Sequence, residues 1–351
     1  MTDETRHIIL QIAKKILWLL LLLVVLDIVY RFTLYPRDLE RYCSLLEFPQ
    51  VPIRDTADII YLGESSEFSC SPTDTDRHSI GTMIGEMMPG HKMGCISKGA
   101  VHAAIYYDIL RNIPRENPVK TVIVTVNMRS FSSEWIYSNL EQALQKEQIL
   151  MKKAPALYKR MLLAFKAYVH WSEAERSQIV RKGLRRQTFT FPHPFPYHNA
   201  NEWDRAISSQ YRLFNGQQAS QDTIELTCHY IKCFAYQLDD KNPRIKDFDK
   251  IARLCQRRGW TLVFNILADN MNQIKTLAGP DLEYLMQENA QYIIQRYEPM
   301  GVIVVNNQYS VREEDFFETF VTEHYNQRGR RNIAEKVAEK LNDHYSQVIN
   351  H

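Results

Sequence analysis

Asp58-Ile59-Ile60-Tyr61-Leu62-Gly63-Glu64-Ser65-Ser66, residues 58–66, is the stretch on which the fold of this chain turns. Four consecutive apolar residues run into a glycine turn that carries serines, and a run without polar alternation suits a strand buried on both faces. The same pattern recurs at 92–96 (KMGCI), 121–126 (TVIVTV), 261–267 (TLVFNIL) and 302–305 (VIVV), with helical patterns between them at 99–113, 245–258, 282–298 and 330–345. This alternation predicts an α/β three-layer sandwich around a parallel sheet of about five strands. Ligands of such sheets sit outside the carboxyl ends of the strands. Chemistry is therefore to be sought just after Leu62, Ile96, Val126, Leu267 and Val305.

Further out, the strands ending at Val126 and starting at Thr261 lie too far apart for one crossover, so residues 131–244 read as a mostly helical insertion or cap. Its first part is basic, with Lys152, Lys153, Lys159, Arg160 and Lys166 among aromatics. That pattern fits either an anionic membrane or polymer surface, or the solvated faces of ordinary helices. Residues 189–203, FTFPHPFPYHNANEW, predict a stiff irregular loop whose rings either stack on sugars or pack the cap to the core.

Towards the N-terminus, ILWLLLLLVVLDIVY at 16–30 is long enough, with 8–12, to cross a bilayer. No small-x-small cleavage site follows it, which favours an uncleaved single-pass anchor over residues 1–32 rather than a signal peptide. Residues 33–57 then read as a linker. Arg6, Lys14 and Lys15 on one side balance Arg31, Arg37 and Arg41 on the other, so charge does not set the orientation. Asp27, near the end of the run, is expected to be hydrated at the interface.

The 351 residues carry 43 Lys+Arg against 41 Asp+Glu, a formal charge of +2, and this gives no electrostatic reason to expect a nucleic-acid partner. Six cysteines show no metal-like spacing, and there is no P-loop or GxGxxG, so no cofactor or metal is expected.

Ser65 follows the first strand on its glycine turn, the place of a nucleophile, and needs a base to take its proton. His324, in TEHYNQRG at 322–329 just before the last helical pattern, can supply one. Gly99, through its backbone N–H, and Asn127, through its amide, follow two further strands and are candidate oxyanion donors. Arg129, Trp135 and Asn326 lie near the same edge as candidate substrate-binding residues. Each has a plain structural alternative: a helix cap for Ser65, a helix-start glycine for Gly99, a turn cap for Asn127, a satisfied loop histidine for His324.

Ser65, Gly99, Asn127 and His324 stand in the chain order of the four blocks of the SGNH (GDSL-like) hydrolase superfamily, which this pattern resembles over roughly 58–130 and 261–341. Gly63-Glu64-Ser65 takes the place of Gly-Asp-Ser. The acid usually found three residues before the histidine is replaced by Val321, so Glu323, Asp315 and Glu318 remain candidates for the third member of a triad. The resemblance implies a flavodoxin-like α/β domain over 58–130 and 245–351. With the anchor, it resembles the membrane-tethered members that modify surface polysaccharides. It therefore implies an extracytoplasmic O-acyl esterase or acyltransferase that meets an acylated glycan or acyl donor, with a membrane acyltransferase as a possible partner. The competing expectation is a non-catalytic binding or assembly protein on the same fold.

Overall fold

The computed structural model describes residues 2–43, 56–168, 171–317 and 322–349. In chain order its elements are α1 (Asp3–Thr33), α2 (Tyr35–Tyr42), β1 (Ile59–Gly63), α3 (Ser65–Phe68), α4 (Ile80–Glu86), β2 (Met93–Ser97), α5 (Ala103–Asn112), β3 (Thr121–Val126), α6 (Ser133–Ile136), α7 (Asn139–Met151), α8 (Ala156–Ala164), α9 (Glu173–Arg186), α10 (Ala200–Gln210), α11 (Gln221–Phe234), α12 (Pro243–Arg258), β4 (Thr261–Ile266), α13 (Met271–Ala278), α14 (Pro280–Tyr297), β5 (Ile303–Asn306) and α15 (Gln327–Ile349). They form two compact units, Met1–Glu47 with Leu144–His170, and Phe48–Ala143 with Trp171–His351.

The larger unit is built on one five-stranded sheet in the order β2-β1-β3-β4-β5, and every pair is parallel. Every residue of β1 and β3 is buried, which is why their sequences are apolar throughout rather than alternating. Ile59, Tyr61, Ile123, Val263 and Val305 face one way, onto Ile80, Met83 and Ile84 of α4 and Ile333, Val337 and Leu341 of α15. Strand side chains alternate, so Phe264 faces the other way, where it meets Phe248 of α12 and Tyr297 of α14. Helices therefore cover both faces, giving the α/β three-layer sandwich. The segment between β3 and β4 is helical, α6 through α12. Within it Phe189 meets Phe191, Phe195 and Trp203 edge to face, Phe195 meets Trp203 likewise, and Phe191 and Phe195 pack tilted, so this loop stitches itself together.

Register brings the strand ends into line. Gly63 pairs with Ser97, and Val126 with Ile266, so the residues following β1, β2, β3 and β4 emerge along one carboxyl edge. A fully buried arginine ties that edge to the last helix. Arg330, in the first turn of α15, donates to the carbonyls of Ser69, Asp76, His78 and Tyr325 and to Asp74 Oδ2 at 2.9 Å. One guanidinium thus fixes the loop after α3 against the segment that carries His324.

In the smaller unit α1 is long and apolar enough to cross a membrane. Part of the expected linker, residues 35–42, is the helix α2, and residues 44–55 of that linker lie outside the described residues. Asp27 is not simply hydrated as its sequence position led us to expect. Its Oδ1 accepts from the backbone N–H of Leu157 at 2.6 Å, in the first turn of α8. That N–H has no partner within its own helix, and a carboxylate near the helix start meets the positive end of the dipole.

Candidate active site

Glu64 ends the glycine turn after β1 with extended backbone, and α3 starts at Ser65, which leaves the serine hydroxyl partly exposed at the sheet edge. Residues 315–317 pair with residues 324–326, Phe317 N–H donating to His324 O and Asn326 N–H to Asp315 O. This pairing holds His324 in place, and its Nε2 lies 3.0 Å from Ser65 Oγ across 259 residues of chain. Burial holds the His324 imidazole below its ordinary pKa, with nearby Glu323 opposing and Arg129 adding to the shift. A neutral imidazole at this distance accepts the serine proton.

Gly99 sits two residues beyond β2, exposed, and a side chain there would meet nothing within 4 Å. Its N–H has no acceptor among the described residues. Asn127 is placed as expected in chain terms, immediately after β3, but it is not a free oxyanion donor. Its Nδ2 donates to Glu64 Oε1 at 2.9 Å and to Glu323 Oε1 at 3.0 Å, and its Oδ1 accepts from Arg129 N–H as a turn cap. A buried amide must satisfy both N–H groups, and here two carboxyls are in reach.

Glu323, expected beside the imidazole, turns inward. It forms an ion pair with Arg129, accepts from Asn127, and takes the Thr322 hydroxyl at 2.9 Å, with no hydrogen bond to His324. Neighbouring residues of this turn point to opposite sides, so one reaches the serine and the other the interior. Asp315 accepts from Asn326 Nδ2 and Arg328 instead. Glu318 and Val321 lie outside the described residues. Among the described residues, none holds Nδ1 of His324.

Arg129 and Asn326, expected to touch substrate, have other work. Arg129 is buried, pairs with Glu323, and stacks its guanidinium 4.0 Å from the centroid of the half-buried Trp135 ring. Asn326 caps α15, its Oδ1 accepting from Arg328 and Gly329 N–H.

Glu64, Glu67 and Asp269 were not among the residues singled out by sequence. Burial and the nearby Glu323 charge push Glu64 up to about 8, while Arg129 and Asn127 pull it down. Burial, with Glu323 adding to it, also drives Asp269 well above the usual carboxylate range. Arg129 pairs with Glu323 and its charge also reaches Glu64 and Asp269, whose raised pKa values favour their protonated forms. Asp269 follows β4 at the edge where chemistry is expected, a signal that points to it. Glu64 and Glu67 flank the serine turn, and acids there are legible as unusual in an apolar setting.

The sheet is parallel throughout, with a serine after β1, a glycine after β2, an asparagine after β3 and a histidine ahead of the last helix, the order expected from the resemblance to SGNH-like (GDSL-like) hydrolases. The chain is similar to the crystal structure of the lipase/acylhydrolase from Enterococcus faecalis at 7% identity, covering 82% of this chain and 97% of that one, with a TM-score of 0.35. A second solved structure is 12% identical over 82% of this chain and 97% of its own, with a TM-score of 0.32. No protein-family model matches the sequence, and no curated protein matches it.

Proposed function

We propose that the chain is a membrane-anchored serine esterase or O-acyltransferase working outside the cytoplasm on an acylated surface polysaccharide. The observation that carries this reading is the 3.0 Å approach of His324 Nε2 to Ser65 Oγ at the carboxyl edge of the sheet. Ser65 Oγ attacks an ester carbonyl carbon while its proton passes to His324. The oxyanion forms near the uncommitted Gly99 N–H. As the tetrahedral species collapses, the ester C–O bond breaks and His324 returns the proton to the leaving alkoxide. The acyl-serine is then taken by water or by a sugar hydroxyl, with His324 again the base. The long apolar α1 supports a tether, and the resemblance to polymer-modifying members supports a glycan as acceptor, with a membrane acyltransferase as the source of acyl groups.

A second reading, a non-catalytic envelope binding or assembly protein, is favoured by the commitment of both Asn127 amide hydrogens to carboxyls. Intact-mass analysis of the full chain in detergent after a fluorophosphonate probe separates the two. One adduct on Ser65, lost in Ser65→Ala and His324→Ala, supports the enzyme; no adduct on folded protein supports the binding module. A reporter fused after His351 tests the orientation.

A further inference from the structure

The surface of α8 is divided. Ala156, Lys159 and Leu163 are buried, and the Lys159 ammonium is held internally by Leu150 O at 2.8 Å and Tyr35 Oη at 2.9 Å. The opposite side carries Tyr158, Met161 and Phe165, spaced by three and four residues, which are 50%, 44% and 77% exposed, with half-buried Leu162 between them. An apolar stripe of this spacing is what a helix presents to an apolar partner. Exposed Lys152 and Lys153 precede the helix and exposed Lys166 follows it.

The placement of α8 along α1 says what that partner is. Residues 3–26 of α1 are all exposed, and Asp27 and Tyr30, where the apolar run ends, are the first that are not. There Asp27 caps the N-terminal turn of α8, and Tyr30 donates to Asp38, which also pairs with Arg160 of α8 at 3.6 Å. The helix is therefore clamped at the end of the apolar run, the depth of the headgroups if α1 spans a bilayer. Aromatic and aliphatic residues on one side, with exposed lysines before and after the helix, suit the boundary between anionic headgroups and acyl chains.

We propose that α8 is an interfacial helix whose Tyr158, Met161, Leu162 and Phe165 face lies in the leaflet where α1 leaves the membrane. The proposal rests on the anchor reading of α1. It gives the N-terminal unit a second purchase on the bilayer, fixing its tilt as well as its attachment.

The test uses the full chain in vesicles of phosphatidylcholine with phosphatidylglycerol, with photoreactive benzoylphenylalanine placed singly at Leu20, Phe165 or the exposed Gln178 of α9, and adducts read by mass. Lipid adducts are expected at Leu20 and Phe165 and none at Gln178. A lipid adduct at Leu20 with none at Phe165 overturns the proposal and leaves the anchor standing. Cross-linking of Phe165 to a second copy of the chain, or equal lipid labelling at Gln178, overturns it as well. Loss of the Leu20 adduct overturns the anchor reading itself, and this proposal with it.

Discussion

Replacing Glu67 with Gln removes a buried proton-binding group from beneath the nucleophile's turn while keeping its shape. Glu67 is 1% exposed, and its Oε1 accepts from Gly81 N–H at 2.7 Å, a bond that the Gln carbonyl oxygen can also accept. Burial raises its pKa from the ordinary 4.5 to about 8, with the Gly81, Ser79 and Tyr61 hydrogen bonds and the Arg330 charge opposing. The folded protein therefore binds more protons than the unfolded chain between those values. The stability this group contributes is complete below 4.5 and is lost as pH rises through about 8. At about 1.4 kcal/mol per unit, the loss between roughly pH 5 and pH 8 is about 3–4 kcal/mol. Glu67→Gln escapes it. At about 2 °C per kcal/mol for a large domain, the Tm of the variant relative to wild type should rise by roughly 7 °C over that interval. Thermal melts of both proteins across the range read the difference directly. A difference that stays constant within about 1 °C would show that Glu67 ionises normally, and the account of this buried edge would be wrong.

Three further outcomes follow from the same geometry. The rate of fluorophosphonate labelling at Ser65 should rise with pH to a plateau whose midpoint lies below 6.5, because burial lowers the His324 pKa; a midpoint above the ordinary value would refute this. Arg330→Met strands the buried Asp74 carboxylate and should cost about 3–5 kcal/mol in denaturant melts, with Asp74→Asn on the same chain recovering part of the loss. Gly81→Ala should cost about 1–3 kcal/mol, since the added Cβ falls 2.5 Å from Cys95 Sγ and 2.9 Å from Glu67 Oε1; an unchanged Tm would show that α4 shifts freely.

Much of the fold was legible because strands buried on both faces cannot hide their composition. The run at 121–126 is a strand with the same bounds, and those at 58–62 and 261–267 are strands with bounds moved by a residue. The helix expected at 282–298 starts at Pro280, where a proline lacking an N–H is tolerated, and the one expected at 330–345 starts earlier behind the Asn326 cap. The helix expected from 99 begins only at Ala103.

The candidate site was legible as residues but not as contacts. Chain order marked Ser65 and His324, because strand ends at one sheet edge are where a parallel fold gathers its loops. Whether Asn127 offers an N–H to substrate or to a carboxyl, and whether Glu323 faces the imidazole or Arg129, depends on side-chain direction within a turn, which sequence spacing does not encode. The sequence by itself determined a parallel α/β sheet and an apolar N-terminal helix, since these follow from local composition and periodicity, while Ser65 and His324 were marked by their chain order. Only the tertiary structure decided that Arg129 sits among three buried carboxyls, that Arg330 locks the edge together and that Asp27 caps α8. Such partners are set by distances between residues tens to hundreds of positions apart, and by the demand that every buried charge find one.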